Sequence, residues 1–145
     1  MSGLADKVLF GFLRLHNAVY QGTNGLIGHR VPGMPPNLIL HSTGAKSGKP
    51  RTHTLSYFRD GDNYVIVASR GGDVRSPDWY YNLKAHPDTE IQVGTRRLHV
   101  SARPILPEDP DYARLWALTN KGNANRYEAY QKKTSRPIPI VVLKT

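Results

Sequence analysis

Thr43-Gly44-Ala45-Lys46-Ser47-Gly48-Lys49-Pro50-Arg51 stands between two runs that read as strands, Asn37 to Ser42 before it and Thr52 to Phe58 after it. Two glycines loosen this turn, and Lys46, Lys49 and Arg51 place three cations within six residues. A turn of that composition holds an anion through side-chain charge and free backbone N–H groups. A second basic turn, Ala68-Ser69-Arg70-Gly71-Gly72, follows the most apolar run of the chain, Tyr64-Val65-Ile66-Val67-Ala68. Two such turns near one sheet suit a long, multiply charged cofactor.

The pattern continues outward in antiparallel pairs. Asp60-Gly61-Asp62-Asn63 reads as a hairpin turn. Thr89 to Val93 and Arg97 to Arg103 form a second hairpin across Gly94-Thr95, and Ile138 to Leu143 is a last strand. Pro139 suits the start of that strand or an unpaired edge. Helices are expected at Pro77 to Lys84, with Ser76 as N-cap, at Pro107 to Lys121, and at Asn125 to Lys132. Leu4, Val8, Phe12, Leu15 and Val19 recur at helical spacing over Leu4 to Tyr20. Gln21 to Pro36, rich in glycine and proline, follows as a loop or arm. About six antiparallel strands with a few helices outside them give an α+β, mainly β chain, best met by a partly open barrel. The division is 1–36 as helix and arm and 37–145 as barrel domain.

Composition narrows the chemistry. With 145 residues and 39% apolar side chains the chain supports one core. Cysteine is absent, which excludes disulfides, thiol nucleophiles and thiolate zinc sites. The six histidines form no ligand pattern, so no metal is expected. The net charge of +9 is met by a polyanionic small ligand, anionic lipid or nucleic acid, or is simply a solvated basic surface. The excess gathers around the two turns, which favours the small ligand. No aromatic–basic strand signature or recognition helix supports nucleic acid. No secretory signal and no bilayer-length apolar run is read, so the expected place is the cytoplasm, with the N-terminal helix able to lie on the membrane's inner face. Nothing in the sequence sets the oligomeric state.

Four stretches together resemble one family: Thr43-Gly44-x-Lys46-Ser47-Gly48-x-Pro50-Arg51, Ala68-Ser69-x-Gly71-Gly72, Pro77-x-Trp79-Tyr80-x-Asn82-Leu83-Lys84-Ala85-x-Pro87, and Ile138-Pro139-Ile140-Val141-Val142. In order and spacing, from about residue 37 to the end, the chain is similar to the deazaflavin-dependent nitroreductases, actinobacterial reductases that use coenzyme F420. The resemblance implies the split β-barrel of flavin-binding reductases. It implies hydride transfer from the C5 position of reduced F420 to electron-poor acceptors: quinones, activated enones such as coumarin-like lactones, and nitroaromatics.

The resemblance also implies site residues. Lys46 and Arg51 would line the phosphate end of the cofactor site, and Ser47, Gly48, Thr52, His53 and Thr54 would also be cofactor-binding. Arginine grips phosphate with paired N–H bonds and lysine supplies point charge. Ala68, Ser69, Arg70, Gly71 and Gly72 would lie against the ring and chain of the cofactor, and Asp78, Trp79 and Asn82 would border it from a helix. Tyr127 and Tyr130, with Ser69, are the candidate proton donors over the acceptor, and Ser56 faces the acceptor where some members carry tyrosine. Here Tyr57 comes one residue later, on the opposite face of a strand. That departure bears against nitro-compounds more than against enones or quinones. Rival readings are an F420 carrier without turnover and a flavin mononucleotide enzyme of the same fold. A nucleotide P-loop fails, because Ala45 stands where that pattern needs glycine before the lysine.

Overall fold

The run expected as one strand, Thr52 to Phe58, is broken at Tyr57, and that break closes the fold. The computed structural model describes residues 35–145. Within them lie β1 (Asn37–Thr43), β2 (Pro50–Ser56), β3 (Phe58–Asp60), β4 (Asn63–Val67), α1 (Asp78–Ala85), β5 (Asp88–Val93), β6 (Arg96–Ile105), α2 (Tyr112–Lys121), α3 (Arg126–Gln131) and β7 (Ile140–Lys144). All seven strands join one antiparallel sheet in the order β2-β1-β5-β6-β7-β4-β3. β2 and β3 are its two opposite edges, yet only Tyr57 separates them. Two Cα steps reach about 7 Å, so the edges meet there and the sheet must curl. The result is a half-barrel with few helices, as the alternation and hairpin turns imply. The expected N-terminal helix and most of its arm lie outside the described residues.

Both hairpins form where the turn residues stood. Asp60 pairs with Asn63 and Val93 with Arg96, leaving two-residue turns at Gly61-Asp62 and Gly94-Thr95. β7 runs between β6 and β4, so it is central. Pro139 sits just before it, and its carbonyl accepts the Ala68 amide at 2.9 Å. A strand start, and not a sheet edge, accommodates this proline.

The unbroken apolar runs of β4 and β7 are explained by two cores, one on each face of the sheet. Tyr64, Ile66, Val141 and Leu143 pack with Leu38, Leu40 and Ile91 on one face. Val65, Val67, Ile140 and Val142 pack on the other with Phe58, Ile105, Leu115 and Tyr127. A strand buried on both faces loses the alternation that a half-exposed strand keeps. Helix α1 presents Trp79, Tyr80 and Leu83 to the first core. Helices α2 and α3 cover the second. Helix α2 begins at Tyr112, later than the expected Pro107. Helix α1 begins at Asp78 with Pro77 in the cap position and no side-chain cap. Ser76 is not the cap; its hydroxyl accepts from Arg136.

Candidate functional site

The basic turn and helix α1 face each other across a groove of about 630 Å³. Lys46, Ser47, Arg51 and His53 line one wall, and Arg75, Asp78, Tyr81 and Asn82 the other. β2 brings Arg51 and His53 to one side of the sheet because they are two apart in a strand. Helix α1 brings Asp78, Tyr81 and Asn82 to one face because they are three and four apart.

The turn is built around its own amides. Gly44 N donates to Lys49 O at 2.8 Å and Gly48 N to Gly44 O at 3.0 Å. Ala45 N donates to the Asn82 side chain at 2.9 Å, and Lys49 N to Ser47 Oγ at 3.2 Å. The amides of Gly44 and Gly48 are therefore engaged inside the turn. Those of Lys46 and Ser47 carry no hydrogen bond among the described residues and remain for a ligand.

Charge in the groove is unbalanced. Arg75 pairs with Asp78 at 3.2 Å and lies over the Tyr81 ring, 5.0 Å from its centre. Among the described residues no carboxylate pairs with Lys46 or Arg51. His53 Nδ1 is buried without a partner. Burial pushes the His53 imidazole below its ordinary pKa, Asp78 pulls it up, and Arg51 pushes it further down. A neutral imidazole thus sits beside two cations without carboxylate partners, with one ring nitrogen buried and unpaired. Unpaired cations, free amides and an orphaned ring nitrogen fit the phosphate end of an anionic cofactor.

The other expected residues divide. Gly48 and Thr52 border a separate cavity of about 440 Å³ on the far side of β1 and β2, with His41, Glu90, Arg97 and His99. Arg51 reaches both. Thr54 lies opposite Ile39 on β1. Ser56 Oγ donates to Asn37 Oδ1 at 3.3 Å. Trp79, expected at the cofactor, is 3% exposed and belongs to the first core. The helix face that carries Asn82 to the groove turns the indole inward. Tyr127, expected over the acceptor, is 6% exposed and packs edge-on against Phe58, ring centres 6.0 Å apart. Burial drives its phenol above the ordinary pKa, so it stays protonated. Tyr130 is half-buried next to it.

The second basic turn packs against α3 and leads into the groove without lining it. Ala68 is buried in the first core and Ser69 is half-buried. Arg70, Gly71 and Gly72 all have positive φ, and Arg70 reaches Asp73 at 3.5 Å. A Cβ on Gly72 would stand 2.5 Å from the Tyr130 carbonyl, so only glycine lets α3 close on the turn. Three residues went unread in the sequence: Arg75 and Tyr81 in the groove wall, and Arg136, whose guanidinium gathers the segment before α1. The resemblance quoted Tyr80 and Asn82 but passed over Tyr81, and Arg136 carries no spacing signal.

The sequence pattern of the F420H2-dependent quinone reductase family matches residues 12–145, both walls of the groove included. The chain belongs to that family. It is a deazaflavin-dependent oxidoreductase, and coenzyme F420 is its cofactor. It is similar to the F420H2-dependent quinone reductase of Mycobacterium tuberculosis strain H37Rv, 66% identical over 131 residues, which span 90% of this chain and 88% of that protein. Among solved structures it resembles an F420-H2 dependent reductase (FDR-A) at 36% identity and TM-score 0.67, over 75% of this chain and 94% of that one. A structure described as a domain-swapped dimer matches at 34% identity and TM-score 0.69, over 98% of this chain and all (100%) of that one. These likenesses agree with the split-barrel fold of the F420H2-dependent reductases.

Proposed function

We infer that the groove between the 43–51 turn and α1 binds the anionic part of reduced F420, and that the acceptor is a small electron-poor molecule. The observation that carries this is the pair of cations, Lys46 and Arg51, left without carboxylate partners beside free amides and the His53 ring nitrogen. When bound, the reduced deazaflavin supplies a hydride, two electrons moving together. The chain's own part is to bind, orient and protonate. Arg51 and Lys46 hold phosphate or carboxylate oxygens, the amides of Lys46 and Ser47 add neutral donors, and His53, in the tautomer protonated at Nδ1, donates a further hydrogen bond. Reduction of a quinone or enone is completed by a proton, for which Ser69, Tyr130 or water is the proposed source. Tyr127 is left out of this role by its burial.

Quinones are the acceptor class that the relatives' name supports. Activated enones are the next proposal, and nitroaromatics the third, because Ser56 stands where a tyrosine would narrow the pocket. The reading keeps 37–145 as the cofactor-binding domain and 1–36 as an arm. A cytoplasmic setting with the arm's helix against the membrane rests on sequence pattern alone. Among the described residues no helix is long and apolar enough to cross a membrane.

Fluorescence titration of F420 into the wild type, Lys46→Ala and Arg51→Ala tests the site. Each substitution is expected to raise Kd about tenfold or more, roughly 1.4 kcal/mol. Equal affinity in both variants overturns the site. Loss of F420H2 absorbance only when a quinone or enone is added tests turnover, and no loss across a broad acceptor panel returns the carrier reading.

A further inference from the structure

Arg136 lies in the loop between α3 and β7, outside the groove, yet its guanidinium meets five acceptors. Nε donates to Asp73 O at 2.8 Å, Nη1 to Ala68 O at 3.3 Å and to Ser76 Oγ at 3.1 Å. Nη2 donates to Ser69 O at 2.9 Å and to Arg75 O at 3.3 Å. A guanidinium carries five N–H groups in a rigid plane, and here each has a target. All five acceptors belong to one segment, Ala68 to Ser76, which runs from the second basic turn to the start of α1. The backbone of Arg136 is fixed in turn, because Gln131 Nε2 donates to its carbonyl at 2.8 Å.

The contacts continue to the cofactor groove. The segment ends in Arg75, which lines the groove, and leads directly into α1, which supplies Asp78, Tyr81 and Asn82. Asn82 then holds the Ala45 amide of the basic turn. One cation therefore anchors the segment that sets where α1 stands, and α1 sets where the Lys46 turn stands.

We propose that Arg136 is a positioning residue for cofactor binding, holding the 68–76 segment and through it both walls of the groove. This rests on the groove being the F420 site. Lysine cannot replace it: one ammonium has three donors on a single nitrogen and cannot meet five acceptors spread along a chain segment.

The test compares Arg136→Lys and Arg136→Ala with the wild type, and with Arg51→Ala as a site control. Three quantities are read: Kd for F420 by fluorescence, KM for F420H2 against KM for a quinone, and Tm. Both Arg136 variants are expected to raise Kd for F420 by roughly tenfold and to raise its KM, while the quinone KM stays near wild type. In Arg136→Ala, free guanidinium at about 10–20 mM, far below denaturing strength, is expected to restore much of the affinity, and methylammonium is not. A merely structural loss would not be repaired in this selective way. Wild-type Kd in a folded Arg136→Lys, or rescue absent or shared by methylammonium, overturns the proposal. So does failure of both variants to fold, which would make Arg136 a requirement of the whole domain. If Arg51→Ala also binds like the wild type, the groove reading itself has failed; if Arg51→Ala weakens and the Arg136 variants do not, only the role of Arg136 falls.

Discussion

The side-chain oxygen of Asn82 accepts the amide of Ala45 at 2.9 Å, and this bond ties α1 to the basic turn across the mouth of the groove. The two residues are 37 apart in sequence. Asn82 is buried, so its acceptor is not exchanged for water without loss.

Substituting this residue separates geometry from charge. Asn82→Asp keeps an acceptor for Ala45 but adds a negative charge beside Lys46 and the bound anion. The fold is expected to hold, with Tm within a few degrees, while F420 affinity falls by about tenfold or more and recovers partly as salt screens the charge. Wild-type affinity at low salt would remove Asn82 from the anion's surroundings.

Gly72 is the tightest point of the second turn. Its φ is +81°, and an added Cβ would meet the Tyr130 carbonyl at 2.5 Å. Gly71 has φ +63° with open space around it. Gly71→Ala should cost about 1 kcal/mol from backbone strain alone, and Gly72→Ala clearly more, about 3 kcal/mol, because α3 must also move. Thermal melts of the two variants measure the difference; equal losses would mean that α3 does not rest on this turn.

Two half-buried histidines set a pH dependence. Burial pushes both His41 and His53 below the ordinary imidazole value of 6.5. Between 6.5 and the lower folded value, the unfolded chain binds more protons than the folded one. Stability is therefore present above the unfolded value and declines as pH falls below about 7. Asp60 and Glu90, held down by hydrogen bonds from Arg114 and Arg97, add a loss of the same sign in the more acidic carboxylate range. Tm measured from about pH 8 to pH 5 should fall, and His53→Gln should flatten part of the decline above the carboxylate range. An unchanged slope in that variant would show that His53 does not titrate differently on folding.

Tyr127 is core. Tyr127→Phe keeps the ring against Phe58 and is expected to leave turnover within about threefold of wild type, whereas Tyr127→Ala should lose about 3–5 kcal/mol of stability. A folded Tyr127→Phe enzyme with turnover reduced about a hundredfold or more would restore this tyrosine as a proton donor.

Much of the fold was legible because its signals are local. The two-residue turns at Gly61-Asp62 and Gly94-Thr95 announce hairpins through their own backbone preferences, and the apolar runs of β4 and β7 announce buried strands. The break at Tyr57 was not legible, because Thr52 to Phe58 is a plausible single strand until the barrel's edges have to meet. In the site, the cations of the 43–51 turn were legible from composition. The burial of Trp79 and Tyr127 was not legible, because an aromatic ring suits a cofactor face and a core equally well, and burial depends on which neighbours pack against it.

The sequence by itself determined which segments pair, where they turn, and that cations cluster in one glycine-containing loop, since each depends on a few adjacent residues and their dihedral and charge preferences. Only the tertiary structure decided which amides of that loop stay free, that Arg75 and Asp78 face it, and that Arg136 reaches back 60 to 68 residues to hold the segment before α1. Those outcomes depend on sheet curvature and on contacts between distant stretches of chain, which no local preference encodes.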